Sequence, residues 1–521
     1  MNSSANQKTE NSAAVRRLGG QTTIVMGGTA FTFIVGFPFQ IYLARELGAA
    51  GLGLVGIAEA LVMTVSGLLG LGLAPLAVRY IPEYLVSGAS RAIRQLIILG
   101  LTLLTGLGAI GALLLVPLAS VLPQAVGITQ EMMDLLVILS ILLPISMISF
   151  FIAQALRGFQ EIWMVVLSTS FLALLIKVIL TFFLFNANGA SPQNYAWAMV
   201  GSQGVAILPM TLKLWRLAST LPQEATPLPL SWRAMTSFAG TNYASGALNA
   251  LVGNLDRIVI GALLGPSGVG VLMVARQLQQ FPTVFHQVVL TVVSPVFARL
   301  KAAGDVLGLA HQLHLANDWI LRMAAGLIIV LAVLADHILG LYGPDFAAQG
   351  TPLLLLMIAT VLLNLGTGPV GILLNMTGLH VVLFRVVVIT SVTTFAAYFL
   401  FIPVLGVSGA GLAVLVGTAI NKGGAIWLVK KRLGISWYDR RFRGWVIPSI
   451  AAAAVLFALR PVFDGIQGLG ARATLLMVVT TLAYFVFFGV NLLVGLHEDD
   501  LEVIAAMRAR VAALRNRGSH L

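Results

Sequence analysis

The sequence predicts an all-α, polytopic membrane protein, and three observations carry that prediction. Of its 521 residues, 58% are apolar and 10% are charged, against roughly 25% charged in an ordinary soluble protein. Mean hydropathy is +0.96. The apolar residues form long unbroken runs instead of the alternating strands of about ten residues that a membrane β-barrel needs. A soluble enzyme could not keep so much apolar surface dissolved, and a disordered chain would leave it unburied. The net charge of +12 would also suit a nucleic-acid binder, so the placement of the charges decides its meaning. There is no cysteine, which excludes disulfides, thiol catalysis and cysteine-ligated metals.

The first 18 residues are polar and basic, with Lys8, Arg16 and Arg17. The apolar run behind them, about 25 residues, is too long for a signal-peptide core and reads as an uncleaved helix. A window of about 19 residues gives fourteen spans. They lie near 20–44, 54–78, 95–118, 132–156, 162–185, 195–214, 238–264, 269–297, 316–341, 351–375, 381–402, 409–429, 445–463 and 473–496.

Fourteen spans put 25 of the 31 basic residues on one side of the membrane. Arg45, Arg460 and Arg472 fall on the other side, and Lys177, Arg257 and Arg276 fall inside spans. Cations mark the cytoplasmic side, so both termini are expected to be cytoplasmic. A miscounted helix would scramble this asymmetry. The +12 is therefore mostly a topological label, and no nucleic-acid partner is expected.

Span two opens on Leu47-Gly48-Ala49-Ala50-Gly51-Leu52-Gly53 and span eight on Leu264-Gly265-Pro266-Ser267-Gly268-Val269-Gly270. At an offset of 217, six of the fifteen positions from Leu47 to Leu61 are identical. A fainter copy, Leu405 to Gly411, opens span twelve. Tight membrane hairpins favour glycine anyway, but all three copies also fall on the same side. An offset of six spans is a parallel repeat. The expected organisation is an N-terminal six-helix lobe (1–220), a proline-containing cytoplasmic linker (221–237), a C-terminal six-helix lobe (238–433), helices thirteen and fourteen (434–497) and a tail (498–521). The tail repeats Leu501, Ile504, Met507, Val511 and Leu514 at helical spacing beside four arginines, as in an amphipathic helix on anionic lipid.

Tyr42-Leu43-Ala44-Arg45-Glu46-Leu47-Gly48 with Gly51-x-Gly53, Gly72-Leu73 with Arg79, and Leu255-Asp256-Arg257 with Gly261 and Gly265 resemble motifs of bacterial polysaccharide-export flippases. These belong to the multidrug/oligosaccharidyl-lipid/polysaccharide exporter superfamily. The resemblance covers essentially the whole chain. It implies two pseudo-symmetric lobes around a central cavity. It also implies alternating access that moves an undecaprenyl-pyrophosphate-linked oligosaccharide from the inner to the outer leaflet of the plasma membrane. The expected partners are that lipid-linked saccharide, membrane lipids and a polysaccharide polymerase or ligase, with the chain a monomer.

Ionisable groups inside spans are costly and usually face a cavity or a partner. Glu59, Lys177, Asp256, Arg257 and Arg276 all lie about 9–13 Å below the outer surface, counting ~1.5 Å per residue. Glu59 and Arg276 are repeat-equivalent with opposite signs, so one expectation is an inter-lobe ion pair closing an outer gate. The alternatives are pairing within each lobe, or a Glu59 that snorkels outward. Lys177 is either a phosphate-contacting cation or an interfacial anchor. Asp256 and Arg257 are about 100° apart and cannot pair well with each other, so Asp256 is expected to pair with a neighbouring span. Arg79, Arg322, Arg385 and Lys422 sit near the cytoplasmic ends, as anchors or as receivers of an anionic headgroup. The site expectation is therefore Arg276, Lys177, Arg257, Arg79 and Arg322 as cavity cations, and Glu59 with Arg276 as a gate. Asp256 and the deep His286 are the residues that could couple to protons, His286 having a structural alternative.

Eight prolines lie inside spans, Pro38, Pro75, Pro144, Pro209, Pro282, Pro295, Pro369 and Pro448, and Gly36 with Pro38 and Pro282 are the preferred hinges. No phosphate-cradling loop with Lys-Ser/Thr is present, so no built-in ATPase is expected. No soluble stretch exceeds about 25 residues, which leaves no room for a catalytic domain. No enzyme activity, cofactor or metal is expected. An anion moved outward across an inside-negative membrane gains ~2.3 kcal/mol per charge per 100 mV, unless protein cations travel with it. A lipid II flippase and a cation-coupled multidrug exporter remain the competing readings. The exporter family usually has twelve spans and acidic sites in its N-terminal lobe.

Overall fold

The computed structural model describes residues 2–121, 129–222, 232–439, 444–463, 465–466 and 468–494. Residues 223–231 of the expected linker and the whole 498–521 tail lie outside the described residues. Among those described there are helices and no strand.

Among the described residues eleven helices are long and apolar enough to cross a membrane. Two are double-length, at 47 and 57 residues. Each is two helices joined at one glycine, Gly48 (φ 66°, ψ 179°) and Gly265 (φ 76°, ψ −175°). That region is open only to glycine, because a Cβ would strike the backbone there. Counting each doubled helix as two and adding the 28-residue Pro192–Ser219 helix gives the fourteen spans expected. The third copy turns at Gly406 (φ 60°, ψ −139°). The repeated sequence is thus a repeated backbone conformation.

The chain divides into two compact units, Met1–Met273 and Val274–Leu521. The boundary falls in mid-helix and not at the 221–237 linker. Close packing inside the first unit accounts for this. A Cβ on Gly53 would stand 1.7 Å from the Pro266 carbonyl oxygen, and one on Gly270 would stand 2.0 Å from that of Ala49. Positions 49 and 266, like 53 and 270, differ by 217. The contact is therefore reciprocal, as a local two-fold requires. Gly56 meets the Met273 sulfur, again at an offset of 217. These glycines let the two hairpins approach backbone to backbone, which holds span seven and the first turns of span eight with the first unit.

Helix interruptions follow proline only in part: Pro144 and Pro369 stand at the breaks of spans four and ten, but the two preferred hinge prolines do not mark a break. Pro38 and Pro282 sit in uninterrupted helix, where the only non-helical residues are Gly48 and Gly265. Span two stops instead at Leu69, turns through Leu71 (φ 48°) and Gly72 (φ 65°), and resumes as Leu73–Ser87. Span four is broken at Ile141 into Gln130–Ser140 and Leu142–Gly158. Span five contains a π-helical turn, Leu167–Leu172. Span ten breaks before Val370–Met376, at Gly368 (φ 64°).

In the second unit, span nine runs Val306–Val333 and is followed by a short Ala335–Gly340 helix. Ala325, Ala452 and Phe487 form one buried cluster backed by Trp445, so spans thirteen and fourteen pack on span nine. Asp336, beyond the end of that span, is held by the Arg460 guanidinium and by His337 Nδ1 at 2.9 Å. Burial pushes the Asp336 carboxyl up, but hydrogen bonds and charge from His337 and Arg460 outweigh it and hold the group below the usual carboxylate range.

Candidate functional site

A concavity in the first unit lies beside the interruption of span two. It encloses about 610 Å3 and is lined from six spans. Gly70 and Gly72 of the break form part of its wall, with Met63 and Ser66 above them and Pro75 below. The break is set by glycine geometry. Gly72 has φ 65°, and a Cβ there would lie 2.3 Å from the Ala239 carbonyl oxygen of span seven. The π-turn contributes Thr169. Such single-turn widenings inside an α-helix are common at functional sites.

The lining includes residues with neutral hydrogen-bonding groups: Ser66, Ser146, Ser149, Gln154, Gln203, Asn242 and Tyr243. Among the described residues its one charged group is Arg157. Arg157 ends the Leu142–Gly158 helix and donates from Nη1 to Gln154 Oε1 at 3.3 Å, one helical turn back. The pair stands at i and i+3, so both heads project from one face. No carboxylate lines the cavity among the described residues. The site therefore offers one exposed cation and several hydroxyls and amides set in a mostly apolar wall, groups suited to phosphate oxygens and sugar hydroxyls.

Sequence reasoning placed Arg157 with the topological cations and passed over the neutral polar residues. Gln154, Gln203 and Asn242 in otherwise apolar spans were the available signal. A buried amide is costly unless it has a partner or a cavity.

Three of the expected membrane-zone charges gather elsewhere in the first unit. Arg257 Nη1 lies 3.3 Å from Glu59 Oε2, with both side chains about a quarter exposed. The Glu59 charge acts electrostatically on Lys177 and on buried Tyr195. The half-buried Lys177 ammonium makes no ion pair or hydrogen bond to a described residue. Asp256 is buried and accepts the Arg257 backbone N–H at 2.8 Å. Tyr42 stacks on Phe182 near this layer, ring centroids 4.4 Å apart. Arg79 is exposed, with its guanidinium 5.4 Å from the Tyr80 ring. Lys177, Arg257 and Arg79 do not line the cavity beside the span-two break.

In the second unit Arg322 is nearly buried and grips Asp318 with two bonds, Nε–Oδ1 at 3.1 Å and Nη2–Oδ2 at 2.9 Å. Asp318, one turn before Arg322, escaped the sequence reading. The fork geometry makes this an ion pair within the helix. Neighbouring Asn317 donates to the Gly366 carbonyl at 3.0 Å, as does Trp437 Nε1 at 3.1 Å. Half-buried His286 lies within the electrostatic reach of Lys422. Arg276 is half-buried and Arg385 exposed.

Residues 18–301 match the family described as "Polysaccharide biosynthesis protein". No curated protein matches the chain in sequence. Among solved structures, an inward-facing multidrug resistance MATE family transporter of the MOP superfamily aligns at 16% identity. It covers 76% of this chain and 94% of its own, with a TM-score of 0.59. Lipid II flippase MurJ in an inward closed conformation aligns at 14% identity over 89% of this chain and 98% of its own, TM-score 0.60. A MOP superfamily transporter from Pyrococcus furiosus, noted for the reverse polarity of its binding pocket, aligns at 15% identity over 81% and 95%, TM-score 0.57. The fold is that of this superfamily.

Proposed function

This chain belongs to the polysaccharide biosynthesis protein family, and from that premise we propose that it is an alternating-access flippase. Its cargo is an undecaprenyl-pyrophosphate-linked oligosaccharide, carried from the inner to the outer leaflet of the plasma membrane for cell-surface polysaccharide. Both termini are cytoplasmic in this reading, because 25 of 31 cations then face the cytoplasm.

The observation that carries the proposal is the composition of the cavity lining. Among the described lining residues one cation, Arg157, stands with hydroxyls and amides and without a carboxylate. A pyrophosphate needs a cation, since an unpaired anion in low dielectric costs of order 20 kcal/mol. A sugar needs many neutral donors and acceptors. A cation-coupled exporter of cationic drugs would require acids in such a lining. Lys177 and Arg257, poised beside Glu59, are a second cationic station for the pyrophosphate. The gate acid is Glu59, with Arg257 as its partner in this state and repeat-equivalent Arg276 as its partner at another stage of the cycle. A polysaccharide polymerase or ligase takes the delivered saccharide.

The test is transport of defined fluorescent lipids by the purified chain in vesicles: a polyprenyl-pyrophosphate oligosaccharide, lipid II and a cationic drug. Transport of the oligosaccharide lipid supports the proposal. Movement of the drug alone, in exchange for protons, overturns it.

A further inference from the structure

A second concavity, of about 460 Å3, opens on the outside of the first unit between spans three and six. Its floor is apolar, with Ile97, Leu101 and Leu214, and its rim carries Trp215 and Ile98, which are 68% and 64% exposed. Arg94 closes one end. Its Nε donates to the Ala218 carbonyl at 3.0 Å and its Nη2 to the Leu221 carbonyl at 2.7 Å. These are unsatisfied carbonyls at the C-terminal end of the Pro192–Ser219 helix.

The two bonds fix the guanidinium in place without neutralising it. Arg94 is half-buried and has no carboxylate partner among the described residues. Arg91 stands one turn before it on the same helix, and exposed Arg216 on the other wall's helix also lacks an acid partner. Neighbouring Lys213, by contrast, is neutralised by Glu161 at 2.8 Å. The groove therefore joins an apolar trough to a pre-oriented cation at the end where charge asymmetry places the cytoplasmic headgroups. Trp215 at that level is the usual interfacial anchor.

We propose that this groove is a binding site for an anionic phospholipid of the cytoplasmic leaflet, with one acyl chain along Ile97, Leu101 and Leu214 and the phosphate on the free edge of Arg94. The site is separate from the cavity beside the span-two break, so it stands whether or not that cavity carries a lipid-linked sugar. The lipid welds spans three and six together at their cytoplasmic ends.

Native mass spectrometry of the full chain, with phosphatidylglycerol and phosphatidylcholine of matched chains, tests this. The expected result is preferential retention of phosphatidylglycerol. Arg94→Gln should reduce it by about tenfold, the scale of one charge-assisted contact. Because that variant also loses a helix-end tie, Ser219→Trp, which fills the groove and leaves Arg94 intact, should reduce retention equally. Phosphatidylglycerol with brominated acyl chains should quench wild-type emission more than that of Trp215→Phe. Equal retention of the two lipids by the wild type, or undiminished retention in both Arg94→Gln and Ser219→Trp, would overturn the assignment.

Discussion

The hairpins of spans one–two and seven–eight share a backbone and differ in the groups a cargo would meet. Gly48 and Gly265 turn with nearly the same dihedral angles, and Gly53 and Gly270 make the same close contact, each on the other hairpin's carbonyl. Yet Glu59 in one copy is Arg276 in the other. Span two breaks at 70–72, whereas the helix that contains span eight runs on to Ala302 through the equivalent positions. The copies keep the residues that a clash would punish and diverge where a charge or a break would serve transport. Symmetry here is a scaffold, and function lies in the departures from it.

The largest expected effect attacks the shared part. Gly53→Ala and Gly270→Ala each force a Cβ into a carbonyl oxygen and should destabilise the purified chain by ~3 kcal/mol, the upper end of overpacking costs. Gly36→Ala, whose Cβ would meet only Leu174 at 4.0 Å, should melt like the wild type. Unequal losses at 53 and 270 in thermal unfolding would break the symmetry argument. The next effect concerns a departure. Gly72→Ala combines a left-handed φ with a 2.3 Å approach to Ala239, and should cost ~2 kcal/mol while abolishing flipping. Gly106→Ala, in open space, should leave flipping intact.

The legible parts of this fold were those that the membrane itself enforces. Long apolar runs and cation placement led to fourteen spans, and the L-G-x-x-G-x-G copies marked positions where only glycine fits. The break at 70–72 was silent, because Leu-Gly-Leu-Gly is as apolar as any helix, while prolines that looked like hinges sit in continuous helix. Arg157 was hidden for another reason. It stands where the positive-inside rule already expects a cation, so its place in a cavity left no extra mark. Asp318 was hidden by its own partner, Arg322, four residues on. The gathering of Glu59, Arg257 and Lys177 was foreshadowed by their common depth, and within the first unit Arg257 is the partner beside Glu59.

That last point sharpens the comparison through a smaller effect. Glu59→Gln leaves Arg257 without its counter-charge and should cost ~2 kcal/mol, below the roughly 3–5 of a fully buried pair. Flipping lost in Glu59→Arg should return when Arg257→Glu is added. Restoration by Arg276→Glu instead would give the gate to the repeat-equivalent cation. The smallest effect lies in the second unit. Asp336 is held ionised by His337 and Arg460, so its contribution is present above the ordinary carboxylate range and is lost as pH falls through its depressed folded value. Asp336→Asn should lower stability at neutral pH by about 0.5 kcal/mol, as expected of a solvent-screened group. The difference from wild type should shrink as pH falls through the depressed folded value of Asp336.

The central claim is that the first unit's cavity handles a phosphorylated saccharide lipid through Arg157. The most direct measurement is the flipping rate of a fluorescent polyprenyl-pyrophosphate oligosaccharide in vesicles, for wild type and for Arg157→Glu, at equal incorporation and unchanged melting temperature. A fall of at least about tenfold is expected, the scale of a charge-assisted phosphate contact turned repulsive. An unchanged rate would contradict it.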